Sequence, residues 1–177
     1  TRKRPENMIR AVLVSFLRQL FEPDVRDALK QQSDNTRISK NASGWYWYAE
    51  DIKAPTLWSV AREAGLITAN VDWPVSVGAE ITYNIPQFWR AEVSEDHKLL
   101  RALATKGLLD EAEKACGVYP AGYQYALPDD VKRAKFIAWM LEKKHPQFMT
   151  GYFSSLDEAQ HHTAPYSQTT FETLEGL

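Results

Sequence analysis

The chain has 177 residues, 44% of them hydrophobic and 25% charged, with a formal net charge of −2. That length and balance fit one soluble domain with a sizeable core. They exclude intrinsic disorder, and they give no bulk electrostatic reason to bind nucleic acid or an anionic membrane.

Residues 1–31 read as helical, broken near "FEPD". Within them "MIRAVLVSFLRQL", from Met8, reads as an amphipathic helix with a short apolar segment between arginines. It has no small-residue cleavage site, and no apolar run in the chain approaches the roughly 18 residues that span a bilayer. Residues 32–50 are polar, then aromatic, and predict an irregular loop containing a formal "NAS" sequon at Asn41.

The pattern then becomes regular. "PTLWSVAREAG" predicts a helix with Leu57, Val60, Ala61 and Ala64 on one face, Pro55 near its start and Gly65 as its stop. "LITANV" follows as a short β-branched strand. "WPVSVGAEITYNIPQFW" reads as an extended, aromatic-lined loop. Two short helices, "EDHKLLRALAT" and "GLLDEAEKAC", are separated by Gly107, and "VYPAGYQYALP" is a loop.

"DDVKRAKFIAWMLEKK" is the clearest helix. Its expected apolar stripe is Val131, Ala134, Ile137, Ala138 and Leu141. Asp129 and Asp130 stand at its positive N-terminal end, and Lys143 and Lys144 at the other. "HPQ" ends it. "FMTGYFSSL" predicts a strand with Asp157 at its carboxyl end, and "SQTTFETLEGL" predicts a last helix capped by Ser167. Helices alternating with strands predict an α/β sandwich with a largely parallel sheet, and no internal repeat is present. In such sheets ligands bind beyond the carboxyl ends of the strands, which is where Asp157 falls.

Two of the four histidines lie in "SSLDEAQHHTAP". A carboxylate and an imidazole, Asp157 and His161, suit Zn²⁺ or a similar divalent ion, but catalytic zinc usually takes three protein ligands. Glu158 is a candidate partner to a ligand, and His162 either points away or orients a neighbour. A D-x-x-x-H pattern also arises by chance in polar loops. His97 follows two acids and reads as a solvated surface residue, and His145 before Pro146 reads as a helix terminator. Cys116, the single cysteine, reads as a structural thiol at a helix end with no activating base. No phosphate-binding glycine loop and no nucleophile elbow is present.

"APTLWSVAREAGLITANVDWPVSVGAEITYNIPQFW" resembles the region after the nucleophile in the type I phosphodiesterase/nucleotide pyrophosphatase family, of the alkaline phosphatase superfamily. "GYFSSLDEAQHHTAP" resembles that family's Y-x-x-x-x-D-x-x-x-H-x-x-G-P motif, matched by Tyr152, Asp157, His161 and Pro165, with Ala164 in place of the usual glycine. The resemblance runs from about Phe21 to the end, so residues 21–177 are expected to form an alkaline-phosphatase-like domain, incomplete in this chain, and residues 1–20 to lie outside it.

The resemblance implies a two-metal, usually zinc, hydrolase of phosphodiester or pyrophosphate bonds. In it Asp157 and His161 hold one metal, Tyr152 lines the substrate site and Trp73 borders it. Its implied partner is a nucleotide or other small phosphodiester, without nucleic-acid-specific binding, and it points to a periplasmic or extracellular location. The family's nucleophile segment, its first-strand aspartate and its downstream Asp-His pair are not found here. The expectation is therefore an internal piece of such an enzyme, inactive alone. Two other readings stay open: a non-catalytic α/β binding module or degenerate remnant that kept the fold and lost the active site, and an unrelated α/β domain in which Asp157 and His161 are polar loop residues.

Overall fold

A computed structural model describes residues 46–89, 96–122 and 126–177. The helix expected over 1–31, the segment from Met8, Asn41 and most of the 32–50 loop lie outside the described residues.

Helix α1 (Leu57–Glu63) starts at a reciprocal cap. The Thr56 hydroxyl accepts from Ser59 N at 3.1 Å, and the Ser59 hydroxyl accepts from Thr56 N at 2.9 Å. It stops at Gly65, whose φ of +76° favours glycine. The face it buries is Trp58 and Ala61, whereas Ala64, expected on that face, is exposed. The bulky indole outcompetes a methyl group for the interior.

Strand β1 (Thr68–Val71) is buried at every position and is the centre of a three-stranded sheet. Its neighbours are β2 (Tyr83–Ile85) and β3 (Phe148–Gly151), both parallel to it, in the order β2-β1-β3. The α/β class and parallel sheet expected from the sequence are thus borne out. Strand β2 is a correction, because it lies inside the stretch expected to be an extended loop. Its three residues are flanked by Gly78 and Pro86, and that turn-rich setting hid them. The second correction is at β3, which ends at Gly151. The residues expected to extend it turn instead into a helix, so Asp157 is not at the strand's end.

Helices α2 (Asp96–Leu103) and α3 (Leu108–Cys116) flank Gly107, which takes a left-handed conformation at φ 77°. Leu108, Leu109 and Ala112 of α3 are buried, and α3 packs on α4. Helix α4 (Leu127–Lys144) has 18 residues, with Pro128 in its first turn and a left-handed His145 as its stop, as expected of "HP". Its inward face differs from the expected stripe. Asp129, Asp130, Arg133, Phe136, Trp139 and Met140 are buried, while Val131 and Leu141 are 42% and 50% exposed. The core it meets includes Val71, Ile85, Leu109 and Tyr119, with Phe136 edge-on to Tyr119 at 4.9 Å. The charged pair Asp130 and Arg133 disguised the true face as a polar one.

Helix α4 also lies close over β3. A Cβ added to Gly151 would stand 2.6 Å from Ile137 Cδ1. Two helices finish the described chain, α5 (Ser155–Thr163) and α6 (Gln168–Gly176), packed on each other. Ser167 caps α6 as expected, accepting from Thr170 N at 3.1 Å.

Candidate metal site at the strand ends

The carboxyl ends of β1 and β3 are neighbours, with Val71 opposite Gly151. Beyond β1 come Asp72, at a positive φ of 62°, and Trp73; beyond β3 comes Tyr152. The Trp73 and Tyr152 rings meet edge to face, centroids 6.4 Å apart at 79°. Asn70, wholly buried in β1, holds the strand ends together. Its side-chain oxygen accepts from Trp73 N at 3.1 Å and from the Thr150 hydroxyl at 2.9 Å. Tyr152 N donates to Val71 O at 3.1 Å. Burial pushes the Tyr152 hydroxyl pKa up, aided by the Asp157, Asp72 and Asp130 carboxylates and opposed by Arg133, so the phenol stays protonated at neutral pH.

Asp157 stands in the first turn of α5 and His161 one turn further on, so both project from one helical face. Asp157 Oδ2 and His161 Nε2 are 3.6 Å apart, and the side chains are 65% and 74% exposed. That is the contact of an i,i+4 ion pair, and it is also close to the about 3.4 Å between two ligands of a tetrahedral zinc ion. Glu158 takes His162, not His161, at 2.8 Å, forming a parallel pair one position along. Among the described residues no group of three or more His, Cys, Asp or Glu side chains converges as a metal site.

Beneath these groups lies a buried polar centre. Arg133 is 1% exposed and reaches two carboxylates: Nε is 2.9 Å from Asp72 Oδ2, and its terminal nitrogen donates to Asp130 Oδ1 at 2.7 Å. Tyr119 donates its hydroxyl to Asp72 Oδ1 at 3.2 Å. Asp130 Oδ2 accepts from Ser155 N at 2.7 Å, at the start of α5. Burial raises the Asp72 pKa to about 7, with Asp130 adding to the shift and Arg133, Tyr119 and Gln87 opposing it. One guanidinium shared by two buried carboxyls cannot fully balance both.

A family model described as type I phosphodiesterase / nucleotide pyrophosphatase matches residues 20–177. The chain belongs to that family. No curated protein and no solved structure matches the chain. The phosphodiesterase family acts on phosphodiester and nucleotide small molecules and is generally metal-dependent. The three-stranded parallel sheet and its helices accord with the family's alkaline-phosphatase-like fold. Among the described residues no helix is long and apolar enough to cross a membrane.

Of the four residues singled out by resemblance to the phosphodiesterase family, Trp73 follows β1 and Tyr152 follows β3, whereas Asp157 and His161 stand on α5. Trp73 and Tyr152 touch, as do Asp157 and His161. His97, expected to be solvated, is 31% exposed but also held by a carboxylate. Its Nε2 is 2.6 Å from Glu113 Oε1, and Glu113 also takes Arg101 at 2.7 Å and Tyr119 N at 3.0 Å. Burial opposes the Glu113 charge, yet the Tyr119 N–H, His97 and Arg101 together hold its carboxyl below the usual range. Cys116 is half-buried, its thiol reaching Lys135 O at 3.6 Å, and burial pushes its pKa up, in keeping with an unreactive thiol. Sequence reasoning missed Asp72 and Arg133 altogether. The available signals were an acid directly after a strand and an Arg three residues beyond an Asp on one helix.

Proposed function

We propose that the chain supplies Asp157 and His161 as two ligands of a divalent metal, zinc in the first instance, in a hydrolase of phosphodiester or pyrophosphate bonds. Residues 21–177 would be the family domain and residues 1–20 would lie outside it. The observation that carries this reading is the 3.6 Å approach of Asp157 Oδ2 and His161 Nε2 on an exposed helical face beyond the sheet. When bound, such an ion supplies positive charge to phosphoryl oxygens and lowers the pKa of bound water.

This chain's own groups do the rest. Asp157 and His161 would hold the ion, and the raised pKa of Tyr152 keeps its hydroxyl a hydrogen-bond donor for an anionic substrate. Trp73, 38% exposed and braced against Tyr152, borders the substrate with an aromatic surface. Two ligands are fewer than catalytic zinc usually has. The described residues are therefore expected to bind metal without completing a catalytic centre. In the second reading, a non-catalytic binding module on the same fold, Asp157 and His161 are an i,i+4 ion pair on an exposed helix face.

The test is zinc calorimetry on the purified chain beside the Asp157→Ala/His161→Ala double variant. Binding in the micromolar range that the double variant loses supports the ligand assignment. Equal binding, or none in either protein, removes it and leaves the binding module.

A further inference from the structure

Helix α5, which carries Asp157 and His161, has no buried apolar side chain; its one buried residue is Ser155. Core packing alone therefore does not fix how far the helix slides or turns, as it does for α4. Nor does α5 cap itself. Ser154, at the N-cap position, has helical rather than extended backbone (φ −111°, ψ −15°), and its side chain caps nothing. The Ser154 and Ser155 hydroxyls are both buried without a hydrogen-bond partner among the described residues.

The cap comes from another helix. Asp130, fully buried on α4, takes Ser155 N with one oxygen and Arg133 with the other, each at 2.7 Å. Arg133 in turn reaches Asp72 at the end of β1, at 2.9 Å. A carboxylate at a helix N-terminus meets both a free N–H and the positive end of the helix dipole.

We propose that Asp130 is a positioning residue for the metal-holding face of α5. Its carboxylate, oriented by Arg133, pins the first peptide of the helix and so sets where Asp157 and His161 stand. This rests on the proposal that those two residues bind metal. Both oxygens of Asp130 act as acceptors. Asn would keep one and lose the other, while Ala would lose both.

The experiment measures Zn²⁺ affinity and amide hydrogen exchange on the full chain, for the wild type, Asp130→Ala, Asp130→Asn, Asp157→Ala and Met140→Ala. Met140 is fully buried on the same helix and controls for general loss of packing. Asp130→Ala is expected to weaken zinc about ten-fold, Asp130→Asn less, and Met140→Ala not at all. Should Asp130→Ala fail to fold, Asp130→Asn against Met140→Ala decides. Unchanged affinity in the Asp130 variants, or an equal loss in Met140→Ala, overturns the proposal. If Asp157→Ala binds zinc like the wild type, or the wild type binds none, the ligand assignment has failed by itself. Exchange at the Ser155 amide then decides the positioning. An acceleration of about ten-fold in the Asp130 variants alone supports it, and no acceleration overturns it.

Discussion

The Asn70 side chain donates to the Asn84 side-chain oxygen across 2.7 Å, from the position directly opposite it in the β1–β2 pairing. Asn70 also donates to Ser76 and accepts from Trp73 N and Thr150, so one buried amide ties all three strands and the Trp73 loop. Asn70→Ala leaves several buried polar groups unpaired and is expected to cost about 3 kcal/mol of stability. Urea unfolding measures this, and a loss under about 1 kcal/mol would mean that the network repairs itself.

Asp72 makes stability depend on pH. Its carboxyl rises from 3.8 to about 7 on folding, so the unfolded chain releases that proton first. The sign follows: this group's contribution is fully present below pH about 4 and is lost as pH rises towards 7. Asp72→Asn removes the slope. The wild type should therefore lose stability relative to Asp72→Asn between pH 4.5 and 7.5, by on the order of a few kcal/mol. Thermal unfolding of both proteins across that range reads it, and parallel curves would contradict the buried carboxyl.

The inward face of α4 gives a clean contrast. Phe136→Ala and Met140→Ala empty fully buried positions and should each cost about 2–5 kcal/mol. Val131→Ala and Leu141→Ala, on the exposed side, should each stay within about 1 kcal/mol. Comparable losses in the two sets would refute the observed orientation of the helix.

Much of the architecture was legible because propensity and punctuation agree with it. Gly65 and Gly107 sit at positive φ where the helix breaks were expected, His145 ends α4, and Ser167 caps α6. What was lost was phase and register. The α4 stripe was read one step off because Asp130 and Arg133 are polar yet buried, held by each other three residues apart and by the remote Ser155 and Asp72. Strand β2 was lost because three residues carry too little periodicity to stand out between turns. Asp157 and His161 were singled out by their motif, and Trp73 and Tyr152 by resemblance; the structure sets each pair side by side. Asp72 stayed hidden because its partners Tyr119 and Arg133 come from distant parts of the chain.

The pairing of β1 with β3 carries a consequence for assembly. Thr150 reaches Asn70 across 80 positions of sequence, whereas β1 finds β2 only 14 positions away. Closing a long loop costs more chain entropy than closing a short one, and distant pairings slow folding. During synthesis β1, β2 and α1–α4 are all made before β3, and α5 follows β3. The helix bearing Asp157 and His161 is thus the last part of the site to be made.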